Sequence, residues 1–394
     1  MKIHVLDPAL ITRAGHHFHV ALAIRDTAAE LGIETVVHAN RQCNPDVRAA
    51  LPVAPAFTNT TYSSLSVPAE LSAAYNHLYA NQTIERELLD SVRGPFAPDD
   101  LIVVHTVVSQ QLVGLYRWYV ALPEPRPRIC LLLRFQPWFR CPPPDRGLAT
   151  AFYEKALRLW TGTPGLRVVL TTDNAGLGDR YAALGGCEVT ELPIPIRHAE
   201  APPRPPTDPD LGLHFVFMGE ARLEKGFHLL MGALTRRGDA LSRVRFTAQA
   251  CRAPELADFI TNCRRVMPDV RFVMDDLSEG DYLGLLSSAD GVIVPYDPNE
   301  YELRTSHVLL EALGMGKPVL TTRGTWMERE MERFGKVGVS AGGFDVDAVL
   351  AGLEDLAGGW RGYARAARDG AARCRDRHNP RSFVRALLAA ADGA

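Results

Sequence analysis

The 394-residue chain is short of several things that would fix its class at once. Its seven cysteines, Cys43, Cys130, Cys141, Cys187, Cys251, Cys263 and Cys374, are scattered and form no CxxC pair. That disfavours a disulfide framework or a zinc site and points to reduced thiols in a cytoplasmic protein. No apolar run approaches the roughly 20 residues that a membrane span needs. The opening MKIHVLDPAL enters a strand-like segment without a signal-peptide pattern. With a formal net charge of −3, neither sign is in excess, which argues against a dedicated nucleic-acid binder. A GxGxxG is missing after the first strand, so a dinucleotide-binding dehydrogenase is disfavoured. What is left is the composition of a soluble globular protein, long enough for two or three domains.

The most informative stretch is GVIVPYDPNEYELRTSHVLLEALGMGKPVLTT, from Gly291 to Thr322. It reads as strand, loop, helix, tight turn and strand. Val292 to Val294 are a β-branched run, and Pro295 to Tyr301 are rich in turn formers. Thr305 or Ser306 can cap a helix that runs to Leu313, after which Gly314 and Gly316 close it. Such a helix begins at the carboxyl end of a parallel strand, where free amides and the helix dipole favour an anion. Arg304 and Glu311 are seven residues apart and are expected to share a face. A phosphate at the helix mouth with a hydroxyl on Glu311 fits a nucleotide sugar. The competing reading is an ordinary βαβ unit with Glu311 in a structural ion pair.

Earlier in the chain, KIHVL, a loop, a helix ending at Gly32 and a strand at 34–38 make a βαβ opening. Gly15, His16, His17 and His19 fall in its first βα loop, either facing a ligand or capping and packing a helix start. No acidic or cysteine partner stands at a metal-site spacing, so no metal is expected there. Residues 68–93 are helical but interrupted by Asn76, Asn81 and Gln82, and Leu101 to Val104 form a buried strand ending at His105. The strand at 128–134 delivers Arg134 and then FQPWFRCPPPD, whose aromatics either pack or offer a stacking surface. Proline-rich AEAPPRPPTDPD at 199–210 reads as a stiff linker. The expected organisation is an N-terminal domain at 1–198, the linker, a C-terminal domain at 211–378 and a terminal helix at 379–394. A return of that helix to the N-terminal domain is one arrangement open to it. Two doubly wound α/β domains would place a cleft between them.

FVFMGEARLEKGFHLL, LGLLSSADGVIVPY and VLLEALGMGKPVLTT together resemble the C-terminal domain of GT-B retaining glycosyltransferases, family 4 above all, over most of residues 211–322. The resemblance implies two Rossmann-like domains, an N-terminal one for the acceptor and a C-terminal one for a nucleotide-diphosphate sugar. It implies a metal-independent transfer with retention, by a front-face path in which the leaving phosphate acts as base. It places Arg222 and Lys225 of GEARLEKG, with Gly219, at the donor diphosphate, and Glu311 at the ribose. Arg304, Thr305 and Ser306 join the donor side, while Gly15, His16, His17, His105 and Arg134 fall on the acceptor or sugar side. The sequence departs from the family pattern at Leu303, where the first of two paired glutamates is usual, and at Glu220, where the arginine usually follows the glycine.

The expected function is therefore hexosyl transfer in bacterial polysaccharide or glycoconjugate synthesis, without cofactor or nucleic acid. Partners would be a nucleotide sugar and a saccharide, lipid-linked saccharide or protein acceptor, at the inner face of the membrane if the acceptor is lipid-linked. A catalytically inactive GT-B module that binds nucleotide or glycan as a scaffold is the alternative.

Overall fold

The computed structural model describes residues 1–13, 15–139, 141–197, 212–251 and 253–393. The linker expected at 199–210 lies outside them. The chain divides into two compact units, one comprising Met1–Pro195 with Asn379–Ala394, the other Ile196–His378.

The first unit is built on strands β1 (Lys2–Asp7), β2 (Glu34–Asn40), β3 (Val53–Phe57), β4 (Leu101–Val107), β5 (Arg128–Leu133), β6 (Val168–Thr172) and β7 (Thr190–Glu191). They form one parallel sheet in the order β3-β2-β1-β4-β5-β6-β7. Every residue of β4 and β5 is buried, as expected of central parallel strands covered by helices on both faces. The strand expected at 188–192 is only the two residues of β7. The helix expected to be interrupted runs unbroken from Ala69 to Ser91. Its Asn81 is a tie, not a break: Oδ1 accepts the Gly114 N–H at 2.8 Å from the helix Leu112–Val120. A Cβ on Gly114 would lie 2.2 Å from the Asn81 carbonyl oxygen, so only glycine lets these helices approach so closely. The last helix, Pro380–Asp392, belongs to this unit and sends Phe383, Val384, Leu387 and Ala391 into its core beside Ile3, Phe18 and Leu132.

The second unit has strands β8 (Leu213–Phe217), β9 (Val244–Gln249), β10 (Arg271–Val273), β11 (Gly291–Val294), β12 (Val319–Thr322) and β13 (Gly338–Ala341). The sheet order β10-β9-β8-β11-β12-β13 is again all parallel. Phe215, Phe217, Phe227 and Ile293 anchor its core, and Trp360 donates Nε1–H to the Asp290 carbonyl at 2.7 Å. In both units the strand order reverses beside the first strand, between β1 and β4 and between β8 and β11. Crevices at the carboxyl ends of strands at such a reversal are where open α/β sheets take ligands.

Candidate functional site

In the second unit, β8 ends in a loop that turns on glycine twice. Gly219 has φ +96° and Gly226 φ +69°, conformations costly for other residues. A Cβ on Gly219 would stand 3.2 Å from Lys225 Nζ, and one on Gly226 only 2.2 Å from the Pro295 carbonyl oxygen. The amine is thus laid across the bare backbone of Gly219, with the Tyr296 ring centroid 5.9 Å away. Gln249 Oε1 accepts the Gly219 N–H at 2.8 Å and fixes this corner to β9. Burial, then the neighbouring Arg222 charge, pull the Lys225 pKa down to about 8.

Arg222 is engaged differently. Its guanidinium pairs with the Glu220 carboxylate and lies 3.6 Å from Glu224 Oε1. Glu220, which displaces the expected arginine in the sequence, therefore holds Arg222 from the flank. Across from this loop, Ser306 caps the helix His307–Gly314 by accepting the Leu309 N–H at 3.3 Å, and it hydrogen-bonds the Tyr296 phenol. Thr305 precedes the cap in the same loop.

One expectation for this stretch is corrected. Arg304 stands outside the helix and does not share a face with Glu311; its guanidinium lies 4.4 Å over the Tyr301 ring and 3.8 Å from Glu300. Among the described residues Glu311 forms no ion pair, unlike the competing reading; its partner is a phenol, Tyr282, which donates O–H to Oε2 at 2.5 Å. Burial drives the Glu311 pKa up to about 7 although that hydrogen bond opposes the rise. Leu303 is a core residue, 5% exposed. Glu300 instead lines an open pocket of about 440 Å³ with Glu224, His228, Asp297 and Arg304.

The first unit carries its own constellation at the β1/β4 reversal. Gly15, with φ +87°, starts the helix His16–Glu30 and has open space where a side chain would be. His17, in the first turn, meets Asp7 at the end of β1: Nδ1 to Oδ1 is 2.9 Å. His105 at the end of β4 meets the other oxygen, Nε2 to Oδ2, at 2.7 Å. Asp7 accepts from both rings, and their remaining nitrogens meet the Tyr62 hydroxyl at 2.9 Å and the Thr106 hydroxyl at 3.1 Å. Burial opposes the Asp7 charge, yet the two histidines hold its carboxyl well below the usual range. Burial lowers the His105 pKa, against Asp7. The three ligand atoms lie within 4.8 Å of one another, close enough to hold a small cation, which corrects the expectation that these histidines have no acidic partner: the fold brings Asp7 to them from the end of β1.

The His16 ring lies tilted against His17, with ring centroids 4.1 Å apart. Arg134, just past the end of β5, reaches Asp173 after β6, Nε to Oδ2 3.2 Å, and its charge also bears on His105. The structure thus joins His17 and His105 through Asp7, while Arg134 pairs with Asp173. Asp7, Tyr62, Asp173 and Tyr282 were not singled out in the sequence. Asp7 was findable, because an aspartate ending the first strand of a doubly wound sheet stands at its ligand edge. Nothing in the sequence marks the two tyrosines.

No protein-family model matches the chain, and no curated protein matches it in sequence. Solved structures do. OtsA in its apo form is similar with a TM-score of 0.71 at 13% identity, over 99% of both chains. Anabaena HepE in complex with UDP and glucose gives 0.66 at 14% identity, over the whole of both chains. The lipopolysaccharide outer core galactosyltransferase WaaB, also apo, gives 0.62 at 12%, over 100% of this chain and 99% of the other. These identities speak for architecture, and with two parallel-sheet α/β units matched end to end, the chain has the GT-B glycosyltransferase fold.

Proposed function

We propose that the chain is a glycosyltransferase that binds a nucleotide-diphosphate sugar on its second unit and passes the sugar to a glycan or other acceptor. The observation that carries this is the β8/β11 reversal, where Lys225 lies over glycine backbone opposite the Ser306-capped helix mouth. Breaking a sugar–phosphate bond builds negative charge on the departing diphosphate, and a fixed ammonium plus free helix amides stabilise that charge. Lys225 is the first such group and Arg222 the second, once a diphosphate draws it from Glu220. Gly219 lets the phosphates approach the backbone, while Thr305 and Arg304 flank the mouth. Glu311 accepts from ribose hydroxyls. Glu300, Glu224 and Asp297 supply the sugar-hydroxyl acceptors that Leu303 lacks.

With two side-chain cations and a helix terminus at the leaving group, the transfer proceeds without a metal or other cofactor, and with retention of configuration. The first unit receives the acceptor, a saccharide, lipid-linked saccharide or protein, near Gly15, His16, His17 and His105. No helix among the described residues is long and apolar enough to cross a membrane. A place in bacterial polysaccharide or glycoconjugate synthesis, in the cytoplasm or against the inner face of the membrane, follows from this reading. HepE, solved with UDP-glucose, supports the donor class.

The test is a thermal-shift screen against UDP, GDP, ADP, CMP and dTDP. A ligand at 100 times its dissociation constant stabilises by about 2.7 kcal/mol. One diphosphate should raise the melting temperature, its sugar conjugate should release it slowly in excess EDTA, and silence from all five overturns the reading.

A further inference from the structure

We propose that Asp7, His17 and His105 hold a single divalent transition-metal ion of the zinc class at the ligand edge of the first unit. The site goes beyond the transferase reading and does not rest on it, since there the departing diphosphate is met by Lys225 and Arg222 on the second unit.

The donor set is two imidazoles and one carboxylate, delivered by three separate elements. Asp7 ends β1, His105 lies near the end of β4, and His17 stands in the first turn of the helix His16–Glu30. All three are buried, and His17, at 8% exposure, is the one that solvent reaches most. Their ligand atoms are already gathered, with His17 Nδ1 2.9 Å from Asp7 Oδ1 and His105 Nε2 2.7 Å from Oδ2. An ion that binds nitrogen and oxygen at about 2.0–2.2 Å sets neighbouring ligands about 2.9–3.5 Å apart, so small shifts of these side chains admit it. A single carboxylate is too little oxygen for magnesium or calcium, whereas imidazole nitrogen suits zinc and its neighbours in the transition series. Three protein ligands leave a fourth position to water, as in an open zinc site.

Two features favour a metal over a triad that is only hydrogen-bonded. The first is the support behind the rings. His17 Nε2 meets the Tyr62 hydroxyl at 2.9 Å and His105 Nδ1 the Thr106 hydroxyl at 3.1 Å. Ligating histidines are ordinarily oriented in this way, by a hydrogen-bond partner on the far ring nitrogen. It also makes the exchange possible without net release of protons. A neutral imidazole moves its hydrogen from the inner nitrogen to the outer one, and the hydroxyl turns from donor to acceptor. The second feature is charge. Asp7 is 2% exposed, and among the described residues no lysine or arginine pairs with it. Hydrogen bonds from neutral rings do not cancel a buried carboxylate's charge, and a dication does. The Arg134 guanidinium, whose charge bears on His105, is held by Asp173.

The experiment titrates the metal-free full chain with Zn²⁺ by calorimetry and repeats the titration with Co²⁺, whose visible spectrum reads the ligand set. The expected result is one Zn²⁺ per chain, a raised melting temperature, and a cobalt spectrum free of thiolate charge-transfer absorption. His17→Gln and His105→Gln should each abolish this uptake. Tyr62→Phe leaves every ligand in place and should weaken it about tenfold. Melting curves without metal show which variants fold, and Tyr62→Phe keeps the test open if a glutamine variant does not. Absence of Zn²⁺ uptake, a thiolate cobalt spectrum, or uptake unchanged in Tyr62→Phe or in a folded glutamine variant overturns the proposal.

Discussion

The Tyr282 hydroxyl donates to Glu311 Oε2 at 2.5 Å, across 29 residues of sequence, and so occupies one oxygen of the carboxylate read as the ribose ligand. A carboxyl whose pKa is held at about 7 by burial is half protonated at neutral pH, and only the ionised form is the better acceptor for ribose. Nucleotide affinity should therefore strengthen as pH rises from 6 to 8. Tyr282→Phe removes the one interaction favouring ionisation, and should move the midpoint of that titration upward. Calorimetry across pH checks it; an unmoved midpoint shows that Tyr282 does not tune the carboxylate.

Glu311→Gln separates binding from folding. The folded pKa of about 7 lies above the usual carboxylate value of 4.5, so the folded state holds more protons between those pH values and loses stability as pH rises through them. The amide escapes that loss. Its melting temperature relative to wild type should climb from pH 5 to pH 8, while nucleotide affinity at pH 8 falls by about 1–2 kcal/mol. A variant unstable at pH 8 whose folded fraction binds normally would make Glu311 architectural.

Lys225→Ala should weaken diphosphate binding by about 1.5–3 kcal/mol, the worth of a charge-assisted contact. Arg222→Ala should cost less, because Arg222 must first leave Glu220 and Glu224. The lowered lysine pKa adds a stability signature. Below pH 8 the folded protein carries the full cost of a buried ammonium, which is relieved between pH 8 and the usual value of 10.5. Lys225→Met should thus raise the melting temperature at pH 7, by a margin that shrinks toward pH 10. Equal diphosphate affinity in wild type and Lys225→Ala would remove the amine from the site.

Gly226→Ala is expected to disturb fold and site together. It puts a side chain at φ +69° and 2.2 Å from the Pro295 carbonyl oxygen, so β8's loop must move off β11's. Strain of this kind costs on the order of 1–3 kcal/mol. Thermal melts should show that loss together with weaker diphosphate binding; a neutral melt would mean that the loop yields freely.

His38 sets an acid limit on the first unit. Burial, then the His4 charge beside it, lower its pKa to about 4, and its Nε2 stands 3.3 Å from His4 Nδ1. Between about 4 and the usual 6.5 the unfolded chain binds the extra proton, so stability falls as pH drops through that window. His38→Gln should flatten that decline in melts between pH 6.5 and 4.5, and an unchanged slope would assign it to other groups.

How much of this was legible depends on where a residue sits in the sheet. Central strands such as β4, β5 and β11 announce themselves as continuous apolar runs. The edge strands β3 and β13 do not: VAPAF carries a proline that only an edge tolerates, and GVSA has little to bury. The helices Pro45–Ala50 and Trp326–Arg333 went unread beside them. The Ser306 cap follows from a local rule, since it needs only its own helix. The joining of His17 to His105 does not, because it runs through Asp7, which meets His105 98 positions away on a neighbouring strand. Arg304 misled for a related reason: a seven-residue spacing implies a shared face only if both residues are helical, and Arg304 is not.

The last helix has a consequence for how the protein comes into being. Phe383, Val384, Leu387 and Ala391 fill space next to Ile3 and Phe18, so the first 195 residues leave the ribosome without the material that closes their core. Synthesis from the N-terminus ordinarily lets an early domain finish before the next appears. Here the later unit, Ile196–His378, has all its strands in hand while the earlier one still exposes an apolar trough. The half made first is the half completed last, and a nascent chain stalled anywhere short of residue 380 offers that trough to a chaperone or to another copy of itself.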